Sequence, residues 1–197
     1  MRRLKSFSGA LVAAARARTI LPALALLVLV LVFMEASPIG KAALRAASGG
    51  GSMLDMRLGY GQEEAYGLFD ALGAGGRQLY SSLLCLDFVF ALVYMFTQSL
   101  MLSSLMRRSG FPERFRALNL LPFARTCLDI LENLLILGLL GACPARLPWL
   151  VAVSACVTVL KWILYGATIG LLFYLGFQTS RNGMKRKGAL AQRRVLA

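Results

Sequence analysis

The chain contains no histidine. That removes His-based metal sites, Ser-His-Asp and Cys-His nucleophiles, and haem ligation through imidazole. Its four cysteines, Cys85, Cys127, Cys143 and Cys156, form no C-x-x-C pair, so a thiol oxidoreductase of the quinone-reducing kind lacks its motif. Each is expected to be buried as a small hydrophobe. No Walker sequence, glycine-rich dinucleotide fingerprint or inverted repeat is present. Neither a cofactor nor a metal is therefore expected, and an enzyme on this scaffold would have to work with carboxylate, lysine, tyrosine and arginine alone. Charge is scarce as well, at 16% of 197 residues, and acids are scarcer still at 9.

What fills the chain instead is apolar: 58% hydrophobic residues and a mean hydropathy of +0.67. That is too apolar for an ordinary soluble domain. A helical span takes about 20 largely apolar residues, so four spans would use about half of the chain and leave no room for a large soluble domain. The expected class is an all-α, multi-pass integral membrane four-helix bundle. The runs 19–35, 80–105, 118–141 and 149–177 are read as its spans. The first is short and follows a basic stretch, so an uncleaved anchor competes with a cleaved signal peptide. The last two are separated only by a turn around Cys143, Pro144 and Pro148, which makes them an antiparallel hairpin.

The net charge of +13 resembles that of a nucleic-acid binder until the charges are placed. Five basic residues lie in the arm 1–18, four in the loop 106–117 beside one Glu113, and six in the tail 178–197. All share one side of a four-span chain. On the other side Lys41, Arg45, Arg57, Arg77 and Arg146 cancel Glu35, Asp55, Glu63, Glu64 and Asp70. The positive-inside rule then puts both termini in the cytoplasm, and in the inner membrane if the source is bacterial. The basic tail reads as topogenic charge attracted to anionic lipid, with no nucleic acid as partner. Membrane lipid is the expected partner, with a homo-oligomer or a larger membrane complex beside it.

The loop 36–79 is the only sizeable segment outside the spans. SGGGS at 48–52 is a flexible linker by composition. Residues 62–72 carry Ala65, Tyr66, Leu68, Phe69 and Leu72 at helical spacing behind Glu63 and Glu64, which suit a helix N-terminus, and the glycines at 73–76 end the pattern. This short amphipathic helix is expected as a cap on the outer interface or a lid over a cavity.

Ionisable residues inside a span are costly and need a partner or a purpose. There are five: Asp87, Arg125, Asp129, Glu132 and Lys161. They fall on stripes. Tyr80, Asp87, Ala91, Tyr94 and Gln98 share one face of the second span; Arg125, Asp129, Glu132 and Asn133 share one face of the third; Ser154, Thr158, Lys161 and Tyr165 share one face of the fourth. Counted at 1.5 Å per residue, the charged members lie in one layer roughly 8 Å thick. The expected cluster has Lys161 facing Asp129 or Glu132, Arg125 pairing with Asp129, and Asp87 closing the other side. Three acids against two bases leave one acid over, expected to hold a proton near neutral pH. The first span has no polar residue between Thr19 and Glu35 and is expected at the periphery.

Several strings occur together in order: LDMRLGYGQEEAYGLFDALGAGGRQLY at 54–80, LDFVF at 86–90, DILEN at 129–133 and VLKW at 159–162. They resemble a family of small, uncharacterised four-span membrane proteins, mostly bacterial, patterned G-Y-x-x-E, L-G-x-x-G-R-x-x-Y, L-D-x-x-F, D-x-x-E-N and K-W. The resemblance covers 54–165 and departs at Ala91, where a proline is expected. It singles out Gly59, Tyr60, Glu63, Gly73, Gly76, Arg77, Tyr80, Asp87, Asp129, Glu132, Asn133 and Lys161. It implies no activity, only that the intramembrane set and the outer-loop set belong to one site.

The candidate reactive residues are thus Asp87, Asp129, Glu132 and Lys161, with Glu63, Arg77, Tyr80, Tyr94, Asn133 and Tyr165 as candidate binding residues. Glu63 and Arg77 are expected at the mouth of the cluster. Two functions stand: a binding or structural membrane subunit, and a lipid-modifying enzyme or proton-coupled carrier. A closed, fully paired cluster favours the first, and a pocket reaching an unpaired acid favours the second.

Overall fold

The computed structural model describes residues 2–195, with side chains over 3–185. Among them there is no strand. Six helices are present: α1 (Arg2–Ala14), α2 (Ala17–Ala36), α3 (Lys41–Ala47), α4 (Gln62–Ser109), α5 (Leu121–Ala142) and α6 (Pro148–Val195). Short 3-10 turns at Leu54–Met56 and Glu113–Leu120 precede α4 and α5 respectively.

Three stretches are long and apolar enough to cross a membrane: Ala17–Ala47, Gln62–Ser109 and Pro148–Lys185. At 22 residues α5 is long enough too, but it carries Arg125, Asp129 and Glu132 close together. Its apolar strength is spent on a polar face turned inward, where Arg125, Asp129, Glu132 and Asn133 are all buried.

Helices α4, α5 and α6 pack on one another. α2 leans on α4 and makes no substantial contact with α5 or α6. It is peripheral, and Leu21, Val28, Leu29 and Val32 on it are exposed. Such a surface is compatible with a helix in lipid.

α4 is bent. Gly73 sits at φ 60, ψ −172, a conformation open essentially to glycine alone. The bend divides the amphipathic stretch 62–72 from the long limb 74–109. Gly110, at φ 72, closes the far end of α4 in the left-handed conformation common after helices.

The interior is layered. At one end Phe69, Tyr80, Leu83, Leu84, Ile136, Leu139 and Val151 form an apolar core with Met53 and Leu54 of the preceding loop. At the opposite end Leu102, Met106 and Leu175 form a smaller one. The ionisable side chains lie between them.

The basic end holds a helix within the stretch 1–18, which the sequence reading gives only as a basic arm. Residues 2–14 form α1, which docks beside Glu113–Leu120. Ser8 Oγ donates to Asn119 Oδ1 at 2.8 Å, and Asn119 Nδ2 donates to Ser103 Oγ at 2.8 Å. Arg107 donates to the carbonyls of Val12 and Ala15 at 3.1 and 2.6 Å, a cation at the C-terminal end of a helix, where the dipole favours it.

The cysteines depart from expectation. Cys85, Cys127 and Cys156 are exposed and Cys143 is half-buried. If these helices cross a membrane, a thiol on their outer face meets lipid, and apolar character then does not require it to face the protein interior.

Candidate functional site

The three polar stripes converge. Lys161 Nζ lies 3.2 Å from Asp129 Oδ1 and forms a second ion pair with Glu132. Arg125 Nη2 is 3.1 Å from Asp129 Oδ2, one turn away on the same helix. Thr158 donates to Glu132 from α6. Glu132 and Asn133 are fully buried, and Asp129 and Lys161 nearly so. The acid and lysine cluster expected from the spacing is therefore present, built because i, i+3 and i, i+4 residues share a face and because the α5–α6 hairpin sets two such faces against each other.

Asp87 closes the α4 side. Its Oδ2 accepts from Asn133 Nδ2 at 2.8 Å, and no cation lies within ion-pair distance among the described residues. Tyr94 and Tyr165 flank the Arg125 guanidinium, with ring centroids 4.7 and 5.8 Å away. Arg125 Nε and Nη1 have no hydrogen-bond partner, so the two rings are much of what accommodates its charge.

One member comes from outside the helices. Asp55, in the 3-10 turn before α4, is buried, and its main-chain carbonyl accepts from Lys161 Nζ at 3.0 Å. Tyr80, fully buried, holds that turn: its hydroxyl donates to Asp55 Oδ1 at 3.0 Å and accepts from the Leu54 amide at 2.9 Å. Tyr60 pins the next residues to α6 through Ser154 Oγ at 2.6 Å. Burial pushes the Asp55 carboxyl above its ordinary range, against the opposing pull of Lys161 and the Tyr80 hydrogen bond. Burial likewise raises the Tyr60 phenol.

A cavity of about 300 Å³ reaches this cluster. Its charged wall is Lys41, Asp55, Asp87, Arg125, Asp129 and Lys161. Leu31 of α2 and Met56 lie on it, and Phe90, Tyr94, Trp162 and Tyr165 make it aromatic. It occupies the gap left where α2 stands away from α6. Trp162 Nε1, on this wall, has no hydrogen-bond partner.

Of the candidate binding residues, Tyr94 and Tyr165 line the cavity, Asn133 orients Asp87, and Tyr80 fixes the Asp55 turn. Glu63 and Arg77 do not line it. Glu63 is exposed, and Arg77 donates to the Phe69 carbonyl at 3.1 Å across the bend of α4. Asp55 is the member that helix periodicity misses, since a loop residue has no stripe to mark it. Among the described residues, no set of three carboxylate or thiolate groups converges to hold a metal ion.

No family model matches the chain, and no curated protein or solved structure is detectably similar to it.

Proposed function

We propose that the chain is a four-span membrane protein with both termini cytoplasmic, which binds the polar head of an amphipathic molecule in the cavity between α2, α4 and α6. In this reading α2, the long limb of α4, α5 and the first part of α6 are the spans. Arg3 and Lys5 of α1, the basic residues of 106–117, and Arg181 and Lys185 of α6 lie at one end, which supports placing that end inside. The bent stretch 62–72 and the 53–60 loop then cover the outer end, and the resemblance over 54–165, which joins loop and span residues in one pattern, agrees with a shared site.

The observation that carries the reading is Asp87, buried on a cavity wall with no cation beside it. Ion pairs that only hold helices together have no need of a cavity or of an acid left over. The cavity is also amphipathic, its charged wall meeting apolar Leu31 and Phe90, as a small-molecule site needs.

Asp55 and Asp87 also favour a second reading. Two acids with no ion pair among the described residues are suited to taking and giving protons, as in a proton-coupled carrier or a lipid-modifying enzyme.

The test is to purify the native chain and Asp87→Asn from the same membrane and identify what each retains by mass spectrometry. The native protein is expected to hold one amphipathic species enriched over bulk lipid, and the variant to lose it. Retention of bulk lipid alone by the native protein rejects the reading.

A further inference from the structure

The cavity has a charge preference that its overall composition hides. Six charged residues line it, three of each sign, but they are not equally committed. Lys161 is held by Asp129, Glu132 and the Asp55 carbonyl, and Arg125 by Asp129 and two tyrosine rings. The third cation, Lys41, is at the rim with its Nζ 3.9 Å from Met56 Sδ and no carboxylate in ion-pair reach. On the acid side Asp129 is doubly paired, whereas Asp55 and Asp87 have no ion pair among the described residues.

Both of those acids are more than nine-tenths buried, at 5% and 6% exposure. Each has one carboxylate oxygen engaged, Asp55 Oδ1 by Tyr80 and Asp87 Oδ2 by Asn133. The other oxygen of each has no donor among the described residues. These two oxygens are on residues of the cavity wall and are not among the fully shielded atoms, so a protonated amine in the cavity can bring three N–H groups and a positive charge to them. Aromatic surface beside it, here Phe90 and Trp162, adds to the attraction for a cation. At about 300 Å³ the cavity is at the small end of ligand sites, so it takes a head and the start of a tail, with the rest lying along α2 in lipid.

We infer that the site takes the ammonium head of a cationic amphiphile, seated between Asp55 and Asp87 with its alkyl chain leaving past Leu31 and Phe90. This rests on the cavity being a ligand site and specifies the charge of that ligand.

The experiment uses the full chain in dodecyl maltoside with Trp149, which is 65% exposed, replaced by Phe, so that Trp162 alone reports on the cavity. The protein is titrated with decylammonium and, separately, with decyl sulfate. Expected is a saturable change in Trp162 fluorescence with decylammonium, absent with decyl sulfate, and weakened by about tenfold or more in Asp87→Asn. Asp55→Asn is the second variant, so that a misfolded Asp87→Asn does not decide the outcome; its expected effect is of the same sign. Saturation by decyl sulfate and not by decylammonium overturns the charge assignment and leaves the cavity reading standing. Saturation by neither overturns both. Saturation by decylammonium that is unchanged in both folded Asn variants overturns the assignment to these two acids.

Discussion

Lys161 Nζ donates to the main-chain carbonyl of Asp55 at 3.0 Å, joining residues 106 positions apart. The lysine already pairs with two acids of α5, so this bond ties the loop before α4 to the charged centre of the helix bundle. A perturbation of the loop therefore reaches the ion pairs, and the reverse also holds.

Lys161→Met leaves Glu132 buried with only Thr158 to satisfy it. Breaking a buried pair on one side costs about 3 to 5 kcal/mol, so the expected result is a large fall in the thermal midpoint of the detergent-solubilised protein. The double variant Lys161→Met with Glu132→Gln is expected to recover part of that loss. A double variant no better than the single one would show that the lysine acts through something other than its charge.

Tyr80→Phe removes one hydroxyl with two bonds in the Asp55 turn. The expected cost is about 1 to 3 kcal/mol, concentrated in the loop. Hydrogen exchange should accelerate at Leu54 while the amides of α5 stay protected. Uniform acceleration across the chain would mean that the tyrosine holds the bundle and not the turn.

Asp55 gives the loop a pH dependence whose sign follows from its environment. Its carboxyl is raised in the folded chain above 3.8, chiefly by burial. The stability it contributes is full below that ordinary value and is lost as pH rises through the raised one. Asp55→Asn stays neutral, so the stability difference between native chain and variant should shift in favour of the variant as pH rises above the ordinary carboxyl value. A constant difference over that rise would contradict the assignment.

Gly73→Ala asks an L side chain to adopt φ 60, ψ −172. Strain of about 1 to 3 kcal/mol is expected, relieved by straightening the bend and lifting 62–72 from the core. Proteolysis within 62–72 should rise in the variant while α5 and α6 resist, and equal sensitivity of native and variant would show that the bend tolerates a side chain.

The membrane orientation is open to labelling in a cysteine-free background. Lys41→Cys is expected to react with an impermeant maleimide in intact cells, and Lys5→Cys and Lys185→Cys only after permeabilisation. The opposite pattern would invert the proposed topology.

The cluster was legible because a helix repeats its face: Asp87, Arg125, Asp129, Glu132 and Lys161 advertise themselves by spacing and by the cost of a charge among leucines. The bend at Gly73 was partly legible, since residues 62–72 end at a run of glycines. Asp55 was not legible. Along the chain it is one loop acid that cancels one loop cation, and only the Tyr80 hydroxyl and the Lys161 side chain, both distant in sequence, bring it into the interior. The docking of α1 was hidden for the same reason: Ser8 and Asn119 carry no periodic signal, and their partnership exists only once α4 and α5 are side by side.

That docking also separates the order of synthesis from the order of assembly. Ser8 waits for a partner made 111 residues later, and Arg107 reaches α1 only when α4 is complete. In the proposed topology α1, whose Leu4 and Phe7 stay exposed even in the folded chain, is therefore a basic, partly apolar segment at the membrane surface while α2 and α4 are made. It is seated after the helices that follow it, and an insertion between α1 and α2 should delay maturation before it changes the finished bundle.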